Sequence, residues 1–208
     1  MTEQNFSSMR AAMVESQLRT SDVSDPRAIA AMSRVPREDF VPAQRRAMTY
    51  IDRPIPLSST RALNPPLVTG RLLSEAQVAP GDKVLLIGAA TGYSAALLID
   101  MGADVTAIDE VDGPHAAATS VIRGPLAVGH SDGAPYDLLF IDGAVEEVPA
   151  ALVQQIVDGG RVVTGIVERG VTRLCSGRVV DGVLGLSSLI DMEMVVLPGF
   201  SAPEQFVF

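Results

Sequence analysis

The chain has 208 residues, of which 47% are apolar, and a formal charge of -9, a size and composition that one hydrophobic core can serve. That charge, without an offsetting basic stripe, excludes a phosphate-backbone partner, so no nucleic acid is expected. No apolar run approaches the roughly 20 residues of a membrane-spanning helix, so no membrane is expected either. Met1 to Arg19 lacks the basic start, apolar block and cleavage site of a secretory signal, and a cytoplasmic location is expected.

Phe6, Met9, Met13 and Leu18 fall close to helical spacing and predict a helix over Asn5 to Arg19. A second is expected from Pro26 to Arg34, with Asp25 as cap and Pro26 at the first helical position. Val35 to Pro66 holds six prolines, Pro36, Pro42, Pro54, Pro56, Pro65 and Pro66, which exclude a long helix. Phe40, Val41, Tyr50, Ile51, Ile55 and Leu57 are too apolar for a free linker, so this stretch reads as an ordered cover. Leu67 to Gln77 reads as a helix leading into the turn Pro80-Gly81-Asp82.

From there strand and helix alternate. Strands are expected at Lys83 to Gly88, Asp104 to Asp109, Leu126 to Gly129, Tyr136 to Ile141 and Arg161 to Ile166. The helices between them are expected at Tyr93 to Met101, His115 to Ile122 and Val148 to Val157. Continuous apolar strands separated by helices imply a mostly parallel sheet covered on both faces. Val171 to Val180 and Val183 to Leu189 flank Asp181-Gly182, a type I′ hairpin signal, and a last strand is expected at Met192 to Leu197. The organisation is one α/β domain over 1–208, with N-terminal helices and cover over 1–79 and the α/β core over 80–208. Cys175 has no intrachain partner and, with only His115 and His130 beside it, no zinc-type cluster, so it reads as a small buried apolar side chain and no metal is expected.

The chemistry concentrates where the first core strand runs through Gly88-Ala89-Ala90-Thr91-Gly92-Tyr93 into a helix. Small residues let a ligand approach the backbone, and a helix N-terminus supplies unpaired N–H donors. Asp109 ends the next strand, 21 positions after Gly88, as suits a carboxylate accepting hydrogen bonds from ribose hydroxyls, with Glu110 the adjacent candidate. Ala90 and Tyr93 stand where a dinucleotide fingerprint wants glycine, and no Gly-Lys-Ser or Gly-Lys-Thr occurs, so S-adenosyl-L-methionine fits better than NAD or ATP. The competing reading is a plain strand-to-helix turn. Ser131-Asp132-Gly133 is placed near the adenine amino group, and Asp142-Gly143 at the end of the fourth strand, on the edge where open parallel sheets bind ligands. Each is also an ordinary turn sequence.

Together these segments resemble the protein-L-isoaspartate O-methyltransferase family. The resemblance includes Gln17-Leu18-Arg19, Val35-Pro36-Arg37-Glu38-Asp39-Phe40-Val41-Pro42, Tyr50-Ile51-Asp52-Arg53-Pro54-Ile55-Pro56 and Gly159-Gly160-Arg161 with the C-terminal hairpin. It implies a class I S-adenosylmethionine-dependent methyltransferase fold, Rossmann-like, whose cofactor methyl goes to the α-carboxyl of an isoaspartyl residue in a protein or peptide. The ester then collapses to a succinimide, and hydrolysis restores some normal aspartate.

The chain departs from the family's pattern at four places. Leu63-Asn64-Pro65-Pro66 stands where the family usually has Ile-Ser-Gln-Pro, Leu86 where a glutamate usually begins the cofactor loop, Ala89-Ala90-Thr91 where Thr-Gly-Ser is more common, so that weaker cofactor affinity is expected, and Asp142 in a region usually uncharged. Asn64 is thus expected to orient the acceptor in place of a hydroxyl, or else only to turn the chain before Pro65. Weak isoaspartyl methylation is expected, to be raised by restoring Ser and Gln at 64 and 65. Two alternatives remain: a small-molecule O-methyltransferase with Asp142 near the acceptor hydroxyl, and a cofactor-binding protein without transfer activity.

Overall fold

Local chemistry starts the helices where the sequence places them. In the computed structural model, which describes residues 5–110 and 121–200, the Asn5 side chain accepts from the Ser8 amide and opens helix α1 (Phe6–Met13). The chain continues as a π-helical turn over Val14–Leu18. The Asp25 carboxylate accepts from the Arg27 amide at 2.8 Å, with Pro26 in the first turn of α2 (Pro26–Arg34), satisfying one of the amides a helix start leaves unpaired. The cover contains a two-stranded antiparallel ladder, β1 (Ile55–Pro56) with β2 (Ala62–Leu63). Helix α3 (Pro66–Ala76) follows and ends at Gln77 in a left-handed conformation. Among the described residues no helix is long and apolar enough to cross a membrane.

The main sheet is built from β3 (Lys83–Ile87), β4 (Asp104–Asp109), β5 (Val121–Arg123), β6 (Tyr136–Val145), β7 (Ile156–Glu168), β8 (Val171–Val180) and β9 (Val183–Asp191). Their order is β5-β4-β3-β6-β7-β8-β9. The pairs from β5 to β7 are parallel, and β8 and β9 add an antiparallel edge, the α/β class expected. Helix α4 (Tyr93–Asp100) joins β3 to β4, and the short α5 (Ala150–Val153) precedes β7.

Alternation along β3 makes two cores, because successive side chains of a strand point to opposite faces. Val84 and Leu86 join Leu138, Phe140 and Val163 beneath Met13, Leu18, Met32, Leu72 and Leu98. Leu85 and Ile87 join Ile108, Leu139, Ile141, Leu152 and Val153 on the other face. The cover helices therefore share a core with one face of the sheet.

Four expected elements differ. Of the helix at His115 to Ile122, residues 115–120 lie outside the described residues, and Val121 and Ile122 belong to β5. Leu126 to Gly129 is a turn, not a strand. The edge strand is the largely exposed Val121–Arg123, and an edge open to water does not carry the apolar run by which buried strands are recognised. The helix at Val148 to Val157 shrinks to α5, and β7 begins at Ile156, so Gly159-Gly160 lies within an irregular strand whose register against β6 shifts there. Met192 to Leu197 makes only a single bridge, Ala144 to Val196. The hairpin holds, with positive φ at both Asp181 and Gly182 as a type I′ turn requires.

Candidate active site

In this sheet the chain moves outward from β3 to β4 and β5, then returns to place β6 on the other side of β3. Such a reversal opens a crevice at the carboxyl ends of the strands, here after Ile87 and around Asp142, which lies not at the end of its strand as expected but within β6, where the register against β7 shifts. The loop over residues 88–92 turns sharply, with φ of 80° at Gly88, 50° at Ala90 and 89° at Gly92. The Gly88 and Ala89 amides donate to Ile108 O at 3.0 and 3.2 Å, and the Ala90 amide donates to Asp109 Oδ2 at 2.7 Å. Loop and β4 end are thus one unit. Thr91 is buried, and its hydroxyl has no partner among the described residues.

Asp109 is 1% exposed and also takes a 2.5 Å hydrogen bond from Arg61 Nη2, itself 4% exposed. The second acid, Asp142, is buried. Its Oδ1 accepts from Asn64 Nδ2 at 2.8 Å and its Oδ2 from Ser94 Oγ at 2.5 Å. Burial raises its pKa above the ordinary carboxylate value, against the opposing pull of Ser94, Asn64, Arg37 and Arg61, because desolvation penalises the charged form. Asn64 Nδ2 also donates to Asp142 O at 3.0 Å, and Asn64 Oδ1 accepts from the Val195 amide at 2.9 Å. Asn64 is therefore a clamp between cover, β6 and the C-terminal segment, with both ends of its amide engaged.

Arg37 secures the cover from inside. Its Nε donates to Thr49 O at 3.0 Å and its Nη2 to Asn64 O at 2.6 Å, while the guanidinium lies 4.9 Å from the Tyr93 ring centroid. Tyr93 also packs on Phe40, so it faces the cover rather than the loop's ligand side. Its hydroxyl is pushed up to about 12, burial being the main cause. Across the crevice runs the C-terminal segment. A Cβ at Gly88 would come within 2.8 Å of the Leu197 side chain, and one at Gly143 within 2.7 Å, so both glycines allow this close approach.

The structure brings Gly88 to Gly92, Asp109, Asn64 and Asp142 to one edge. Glu110 is exposed beside them and lines a pocket of about 250 Å³ with Arg123, Gly124 and Pro125. It does not bring Ser131-Asp132-Gly133 there. That turn directly precedes β6 and lies with Lys83, whose amide donates to Asp137, and with Gln155, which bonds His130, at the amino edge of the sheet. The error follows from taking the third strand too late. With the strand at Val121–Arg123, the residues leaving its carboxyl end are Gly124 and Pro125, and the Gly124 amide donates to Asp109 O at 3.0 Å. A Gly-Pro pair after a short β-branched run was the available signal. Arg61 and Ser94 gave none, since each reads in sequence as an ordinary polar residue.

A glycine turn tied to a buried acid at the switch point of a seven-stranded sheet, roofed by a proline-rich cover, defines a Rossmann-like transferase of the class I methyltransferase type. The sequence model of protein-L-isoaspartate(D-aspartate) O-methyltransferase matches residues 8–178, and the chain belongs to that family. A protein-L-isoaspartate O-methyltransferase of Koribacter versatilis is 36% identical over 205 residues, spanning 93% of this chain and 92% of its own length. A second, from Marinobacter nauticus, is 34% identical over 212 residues, spanning 94% and 95%. A solved protein-L-isoaspartate O-methyltransferase shares the fold with a TM-score of 0.77 at 20% identity, over 91% of this chain and 66% of its own. A Plasmodium falciparum structure described as a beta-aspartate methyltransferase, in complex with S-adenosyl-L-homocysteine, gives 0.72 at 19% identity, over 94% and 99%.

Proposed function

We propose that the chain uses S-adenosyl-L-methionine to methylate the α-carboxyl of isoaspartyl residues in proteins and peptides. The observation that carries this reading is Asp109, buried at the end of β4 and bound by the Ala90 amide of the glycine turn in a chain of this family. The residues present fit an adenosine. A strand-end carboxylate can accept from ribose hydroxyls, and the pocket of Glu110, Arg123, Gly124 and Pro125 beside it offers a flat wall for a base. No cationic phosphate cradle is needed.

When bound, the cofactor supplies an electrophilic methyl group on sulfur. The chain's own task is to bind, orient and exclude water, since in-line displacement needs no covalent intermediate. Arg37, tied to Thr49 and Asn64, keeps the cover closed. Asn64 acts as a positioning residue by holding Asp142 and Val195. The small-molecule reading loses its support, because both Asp142 carboxyl oxygens already accept bonds from Asn64 and Ser94.

The test is transfer of tritiated methyl from the cofactor to an isoaspartyl peptide, its aspartyl twin and a panel of phenols, beside calorimetric titration with S-adenosylhomocysteine. Label on the isoaspartyl peptide alone is expected. Label on a phenol, or cofactor binding without transfer to any acceptor, would overturn the reading.

A further inference from the structure

Arg61 is a long, buried cation of the crevice whose one side-chain bond among the described residues goes to Asp109 and not to the cover. Its backbone is fixed, because the Leu57 and Ser58 amides donate to Arg61 O at 2.8 and 3.1 Å. From that anchor the side chain turns inward to Asp109 although a flexible arginine on a surface loop could point to water. Only Nη2 is bonded; Nε and Nη1 are buried without a partner among the described residues. Buried guanidinium donors left unmatched are costly, and such groups in native structures call for an explanation.

The neighbouring carboxylates do not supply the missing partner. Asp109 faces Nη2, and Asp142 has its oxygens on Asn64 and Ser94. A planar, two-oxygen anion would match the unfilled Nε and Nη1 edge of the guanidinium.

We propose that Arg61 is the carboxylate receptor of this site, holding Asp109 with Nη2 while Nε and Nη1 take the carboxylate of a ligand. Two ligands could bring that group under the methyltransferase reading on which this rests: the α-carboxylate of the isoaspartyl acceptor, and the amino-acid end of the cofactor. Arg61 then orients a carboxylate at the junction of the glycine turn and the cover, and selects against acceptors lacking one.

The experiment is calorimetry on the native protein and on Arg61→Gln and Arg61→Lys, with two ligand pairs, one differing in the whole amino-acid end of the cofactor and the other only in the acceptor carboxylate. S-adenosylhomocysteine is compared with methylthioadenosine. With S-adenosylhomocysteine saturating, an isoaspartyl peptide is compared with its α-carboxamide. In Arg61→Gln one carboxylate ligand is expected to lose about tenfold to a hundredfold in affinity, the scale of a charge-assisted hydrogen bond, while its twin is unchanged and Arg61→Lys recovers part of the loss. A loss confined to the peptide assigns the acceptor's carboxylate, and one confined to S-adenosylhomocysteine assigns the cofactor's; either supports the proposal. If Arg61→Gln does not fold, the native protein decides: equal affinity within both pairs overturns it, as does a folded Arg61→Gln that binds all four ligands as the native protein does. Absence of any binding or labelling of the isoaspartyl peptide would remove the acceptor reading alone, and the cofactor pair would still decide the role of Arg61.

Discussion

Replacing Asn64 with Ala removes three hydrogen bonds at once: those from Nδ2 to Asp142 O and Oδ1, and that from the Val195 amide to Oδ1. Asn64 is 3% exposed and Asp142 7%, so water enters poorly at the β6 end, whereas half-buried Val195 can recover a bond to solvent. A hydrogen bond to a charged group contributes about 1.5 to 3 kcal/mol, and a buried orphaned group costs a similar amount. Together these give a loss of roughly 3 kcal/mol, which for a chain of this size lowers Tm by about 6 to 12 °C. Serine at this position is too short to span from Asp142 to Val195, so Asn64→Ser should lose nearly as much. Besides the gain in isoaspartyl methylation expected from restoring Ser and Gln at 64 and 65, the paired change should cost stability and loosen the C-terminal segment over Gly88. Thermal unfolding followed by circular dichroism, with a double-mutant cycle against Asp142→Asn, is the assay. A Tm within about 2 °C of native, or strictly additive single changes, would refute the clamp.

Asp109→Ala should abolish measurable S-adenosylhomocysteine binding in calorimetry and also destabilise by about 3 to 5 kcal/mol, because it strands Arg61 as a buried unpaired cation; native stability in that variant would show that the pair is not structural. Asp142 has a folded pKa raised above its unfolded value, so its contribution is present below the ordinary carboxylate range and is lost as pH rises through the folded pKa. Asp142→Asn should accordingly gain in Tm relative to the native protein at pH 8 and not at pH 4, and a Tm difference that does not change with pH would contradict this. All three tyrosines have raised pKa values: Tyr50 mainly from burial with Glu38 adding, Tyr93 to about 12, and Tyr136 mainly from burial. Phenolate absorbance should therefore emerge together with loss of helical ellipticity above about pH 10, the unperturbed tyrosine value; a tyrosine ionising near 10 in the folded protein would count against that packing.

Much of the fold was legible because it follows from local rules. Asp25 and Pro26 start α2, the apolar run through Leu86 makes a strand covered on both faces, and Asp181-Gly182 closes the hairpin, each set by capping, periodicity or turn chemistry within a few residues. The glycine turn and Asp109 of the candidate site were legible for the same reason, since Gly88 and Asp109 mark strand ends and Gly92 the start of a helix. The tertiary structure alone decided which strand lies at the exposed edge, and hence that Gly124 and Pro125, not Ser131 to Gly133, leave it beside Asp109. It alone decided that Asn64 clamps Asp142 to Val195, 131 residues away from it in sequence, and that Arg61 turns inward to Asp109, 48 residues on. Burial of a polar group depends on what distant segments bring over it, and no local pattern distinguishes a guanidinium bound for solvent from one that will be sealed beneath a cover.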